Sequence, residues 1–259
     1  MRARTAILAV TSLVLVLAVG ILVAPHVAKP APVPTVGEDL GAEASRPPIP
    51  TPEELYTALD GGVTHGTSFG LPATLSITAA PDLVLPTGRL VAADAMMLDA
   101  PPFTTEVEPG RHPVTVLEAS FDDGDRRVAA AMVRVRAGEP IDWRLALVAG
   151  QDPAALGPDE FYGYGVDSGT GSFTSPEAVE LLANGEYDAY GDEVLEGMYP
   201  GGDTVVNVVT VEVDPASGAN VVAMTSGFGD GAYATFVGFD ADGRPVAFIT
   251  DFGILDGAS

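Results

Sequence analysis

The chain has 259 residues, 36 of them acidic and 12 basic, for a formal net charge of −24. Such a charge would repel a polyanion at every approach, and the longest basic cluster is Arg126-Arg127, so nucleic acid is excluded as a partner and anionic lipid headgroups are disfavoured. There is no cysteine, which removes disulfides, thiolate metal sites and lipidation of a cysteine from consideration.

In chain order, Arg2 and Arg4 precede an apolar run from Ala6 to Ala24. As a helix this run would rise roughly 28 Å, enough to cross a bilayer core. A cleaved signal peptide competes, but its apolar stretch is usually about 7–15 residues, and the cleavage sites here are poor because Leu22 or His26 falls at the third position back. The run therefore reads as an uncleaved signal-anchor over residues 1–24, single-pass in the cell membrane. The basic residues before it set the N-terminus in the cytoplasm and the rest of the chain outside. Residues 25–52 carry prolines at 25, 30, 32, 34, 47, 48, 50 and 52 and read as a semi-rigid stalk, leaving 53–259 as one extracytoplasmic domain.

Within that domain, Thr51-Pro52-Glu53-Glu54 has the pattern of a capping box, predicting a short helix to about Leu59 before Asp60-Gly61-Gly62 stops it. From Leu83 onward, turn signals at Pro86-Thr87-Gly88, Pro109-Gly110, Asp122–Asp125 and Ala137–Pro140 divide a β-meander. Ser175 caps a second short helix to Ala183, and strands are expected over Val205–Val213, Ala219–Thr225, Tyr233–Phe239 and Pro245–Phe252. No βαβ alternation occurs, so the fold class is mainly β, a sandwich-like curled sheet with two or three short helices, plus the N-terminal transmembrane helix.

Three glycine-rich, aromatic, aspartate-bearing segments stand out: Gly163–Phe173, Ser226–Tyr233 and Thr250–Gly253. Glycine allows close backbone approach, and an acid among aromatics is costly unless paired, so the three suggest one shared site. Its candidate ligand-binding residues are Tyr164, Asp167, Thr170, Phe228, Asp230, Tyr233 and Asp251. If Asp167, Asp230 and Asp251 ring a gap, they would hold a hard cation such as calcium, the one cofactor this donor set suggests. If Asp167, in Asp167-Ser168-Gly169-Thr170, meets Asp251, the pair matches the carboxylate dyad of an aspartic-type hydrolase. Against this, the tetrapeptide occurs once and its partner acid is unspecified. Asp251 lies in an apolar strand, where pairing with Arg89 or Arg144 is the plainer expectation. His65 and His112 read as surface or turn residues and Trp143 as core. A third reading makes all these segments purely structural.

The ordered set Pro86–Leu90, Pro109–Val114, Arg127–Ala131, the Gly163–Gly171 segment, Gly229-Asp230-Gly231 and Thr250-Asp251-Phe252 resembles the bacterial domain-of-unknown-function 4241 family, over roughly residues 83–255. The resemblance implies no activity and supplies no catalytic residue. The residues themselves favour a domain that is not an enzyme, binding a ligand or protein partner at an aspartate, glycine and aromatic face.

Overall fold

The computed structural model describes residues 27–28, 49–158, 160–201 and 205–257. The run expected to form the anchor and most of the stalk lie outside these. Among the described residues no helix is long and apolar enough to cross a membrane.

Two antiparallel sheets pack face to face. The larger runs β1 (Val27–Ala28), β8 (Phe161–Val166), β12 (Gly231–Phe239), β13 (Pro245–Asp251), β6 (Arg126–Arg134), β5 (Gly110–Ser120), β3 (Leu71–Leu85) and β2 (His65–Ser68), with β7 (Asp142–Leu145) also on β12. The smaller runs β10 (Val208–Asp214), β11 (Ala219–Thr225), β9 (Thr170–Thr174) and β4 (Val91–Asp94). Their shared core includes Leu83, Leu85, Val116, Phe173, Met224 and Phe248. The 15-residue β3 curls the large sheet through a register shift between Ala80 and Leu83.

Period-two alternation then builds two outer layers. On β11, Val222 and Met224 face the shared core while Val221 and Ala223 face outward, covered by α2 (Pro176–Ala183) and α3 (Tyr190–Met198) through Ala178, Val194 and Met198. On the far side of the large sheet, α1 (Pro52–Leu59) lays Leu55, Tyr56 and Leu59 over Leu117, Met132 and Ile249. The expected capping box is formed, Thr51 accepting from the Glu54 N–H and Glu54 from the Thr51 N–H. Between the sheets the buried Asn220 accepts from the Val84 N–H at 2.9 Å and donates to the Asp82 carbonyl at 2.9 Å.

Mainly β with three short helices is thus the observed class. A simple meander is not: Pro86-Thr87-Gly88 turns the chain from β3 in the large sheet to β4 in the small one, rather than joining a hairpin. Two further corners cross between sheets, Asp167–Gly169 between β8 and β9, and Ser226–Asp230 between β11 and β12. The stalk is not free throughout, since Val27 pairs with Tyr162 on the β8 edge. His112, expected at the surface, is buried, its Nε2–H donating to the Glu108 carbonyl at 3.0 Å, and burial holds its pKa below the usual histidine value. Trp143 is half-buried and rests on Gly238, where a Cβ would come within 2.8 Å of its ring.

Candidate functional site

The three glycine segments do converge, as a packed cluster of corners. The Ser226 N–H donates to the Gly169 carbonyl at 3.1 Å, and the Tyr233 hydroxyl lies 2.6 Å from the Gly229 carbonyl and 3.0 Å from that of Ser226. Tyr233 meets Phe252 edge to face at 5.1 Å and Tyr164 at 6.3 Å. The glycines are required by this closeness. A Cβ on Gly171 would fall 2.9 Å from the Tyr164 hydroxyl, and one on Gly227, at φ +52°, would fall 2.5 Å from the Phe252 carbonyl. Phe228 departs from the cluster: it is 49% exposed, rests against Phe69 at 5.7 Å, and carries the Arg127 guanidinium over its face.

The organising acid of this region is Asp94, which the sequence reading did not single out. It ends β4 and is 2% exposed. Its Oδ2 accepts from the N–H groups of Asp167 and Ser168, both at 2.8 Å, and its Oδ1 from the Ser168 hydroxyl and Met96 N–H, also at 2.8 Å. Burial works to raise its pKa, but the Ser168 hydroxyl and the Asp167, Met96 and Ser168 N–H groups outweigh it, holding the carboxyl below the usual range. Its only signal in the sequence is an acid closing the short apolar strand Val91-Ala92-Ala93.

Beside Asp94 a cleft of about 300 Å³ opens between the sheets. Its position follows from how β12 shares one edge, with β8 pairing residues Gly231–Ala234 and β7 pairing Phe236–Phe239. Thr235 falls between the two pairings. It is 2% exposed, lines the cleft, and shares a 2.8 Å hydrogen bond with the Thr250 hydroxyl, while the Tyr164 hydroxyl bonds Thr250 in turn. The walls include Phe103, Val148, Tyr162 and Tyr164; Asp99 and Asp167 line it while remaining exposed.

The proposed acids therefore go separate ways. Asp167 opens onto the cleft; Asp230 is exposed. Asp251 is 9% exposed and accepts from the Gly253 N–H at 2.8 Å; burial pushes it up to about 6. Neither expected arginine reaches Asp251, because Arg89 bonds Thr87 and Arg144 pairs with Asp142. Its perturbation comes from burial, opposed by the Gly253 N–H, with no second carboxylate contributing as a proton-sharing dyad would. Among the described residues no group of three or more His, Cys, Asp or Glu side chains is arranged to hold a metal ion. Thr170, also proposed, is buried and contacts the Met198 sulfur at 3.9 Å.

Asp94→Asn should destabilise the fold by roughly 2–4 kcal/mol, because an amide nitrogen would face N–H groups that the carboxylate now accepts. A denaturation midpoint equal to that of the parent protein would refute the capping role. Asp251 titrates with the opposite sign. Its folded pKa of about 6 lies above the ~3.9 of an unfolded aspartate. The folded state thus binds the proton more tightly, and the stability so contributed is present at low pH and lost as pH rises through about 6. Lowering the pH from 7 to 5 should stabilise the parent by about 1 kcal/mol more than Asp251→Asn, a difference measurable by paired urea titrations.

Comparison with known proteins is sparse. No curated protein and no solved structure matches the chain. A family model, described as protein of unknown function (DUF4241), matches residues 83–250, from β3 to the penultimate residue of β13. The chain belongs to that family of proteins of unknown function.

Proposed function

We propose that this is a membrane-anchored, extracytoplasmic β domain that binds a small ligand in the cleft between β4, β7 and β8. The observation that carries the reading is the cleft itself. It is a concave space of about 300 Å³ with aromatic and aliphatic walls, a few polar groups, and four members of the first glycine segment, Gly163, Tyr164, Gly165 and Asp167, on one side. The buried hydroxyl file Thr235, Thr250 and Tyr164 supports it, since it brings hydrogen-bonding capacity to an otherwise apolar floor.

Anchoring rests on the apolar run Ala6–Ala24 behind Arg2 and Arg4. Val27 hydrogen-bonds onto β8 three residues after Ala24, so a span ending there would hold the β8 edge within about 10 Å of the bilayer. A reporter fused after Ser259 should be active outside the cytoplasm, and cytoplasmic activity would overturn the orientation.

Binding is tested by filling the cleft. Ala149 lines it and is exposed, so Ala149→Trp should leave the denaturation midpoint unchanged while occupying the space. Saturation-transfer NMR against a fragment library should give binders to the full chain that are lost in the variant. Binders that persist unchanged in Ala149→Trp, or none with the parent, would remove the cleft as the binding site.

A further inference from the structure

The cleft walls specify the charge of what enters. Phe103, Tyr162, Tyr164 and Val148 present carbon, and no arginine, lysine or histidine is among the lining residues. The negative charge at the cleft is of two kinds. Asp94 is buried and saturated by five donors, so it offers little beyond its field. Asp99 and Asp167 are exposed, and among the described residues neither carboxylate is held by an ion pair or a hydrogen bond. Elsewhere six arginines are committed: Arg111, Arg126, Arg127, Arg134, Arg144 and Arg244 each pair with an acid. An acidic protein has many free carboxylates, but here two border a largely apolar cavity whose lining, among the described residues, includes no cationic side chain.

The geometry points to an organic cation as the ligand: an apolar or aromatic body lodged against Phe103, Tyr162 and Tyr164, with an ammonium or guanidinium group at the mouth between Asp99 and Asp167. This rests on the cleft being a binding site and adds the class of molecule. An anion would face two unpaired carboxylates with no cationic side chain among the lining residues to compensate. A neutral molecule would leave both carboxylates solvated and gain only the walls. A cation gains attraction to the carboxylates, and ring faces attract it further. Because both acids are exposed, the attraction is screened by salt over a Debye length of roughly 10 Å at 0.1 M.

Benzylamine, benzyl alcohol and benzoate share shape and differ in charge, and so separate these cases. Each is titrated into the isotope-labelled full chain in detergent micelles, following the amides of Gly163, Gly165 and Asp167, three residues of the wall strand and corner. We expect benzylamine to shift these signals with a Kd on the order of 1–10 mM, as suits so small a ligand. Benzoate should bind at least about tenfold more weakly. The doubly substituted Asp99→Asn, Asp167→Asn chain should lose about tenfold in benzylamine affinity and almost none for benzyl alcohol, and raising sodium chloride tenfold should mimic the substitution. Benzyl alcohol binding as tightly as benzylamine, with no response to either substitution or salt, would overturn the cation assignment and leave the cleft as a binding site. No shift of the cleft amides by any of the three would overturn both. An unchanged spectrum of the double variant outside the cleft certifies that lost affinity is not lost fold.

Discussion

Asp94 holds the end of the small sheet against the corner of the large one. Its two oxygens take the Asp167 and Ser168 N–H groups on one side and the Met96 and Met97 N–H groups on the other, with the Ser168 hydroxyl completing the set. Backbone donors at a corner have no ladder partner, and leaving them buried would cost about 1–3 kcal/mol each. A carboxylate is the one short side chain that accepts this many bonds without offering a donor of its own. Its saturation explains why a charge can sit 2% exposed with no arginine nearby. With the β4 end fixed to the β8–β9 corner, the space between β4 and β8 is held open on one side, and that space is the cleft.

The corners themselves depend on glycine for a packing reason as much as a torsional one. At Ser226–Asp230 and Asp167–Gly169 the chain leaves one sheet and enters the other. The two crossings stack on each other and on Phe252, closely enough that a methyl group at Gly171 or Gly227 would collide with a hydroxyl or a carbonyl. Tyr233 then satisfies the carbonyls that the stacking turns inward. The residue pattern that suggests a ligand face is, over most of its length, the requirement for crossing between sheets within one short turn.

This accounts for what was legible beforehand. The capping box of α1, the Ser175 cap of α2 and the hairpins built on Val, Ile and Phe are local signals, and they stand where the pattern put them. The strand β8 was hidden because Gly163, Tyr164 and Gly165 lack the β-branched alternation of a strand, its pairing being imposed by β12. The helix α3 was hidden because Ala189 makes no side-chain cap and Gly191 and Gly197 sit inside the helix. For the site, Tyr164 and Asp167 were recognisable from composition. Thr235 and Asp94 were not, since each matters through a partner distant in sequence, 15 residues between Thr235 and Thr250 and 73 between Asp94 and Asp167, and Asp99 joins them only through where the fold places it.

Acids with similar local sequence thus end in three chemical states, and the states decide which can meet a ligand. Asp94 has its lone pairs filled by the protein and is held ionised by them; it is structure. Asp251 is desolvated with a single N–H donor and rises to about 6, so near neutral pH its charge costs the fold stability and its proton occupancy follows pH. Asp167 gives its backbone N–H to Asp94, lines the cleft and is exposed. Of the three, only Asp167 keeps a carboxylate with neither an internal bond nor a burial cost, and the backbone bond to Asp94 fixes the corner that places this residue at the cleft.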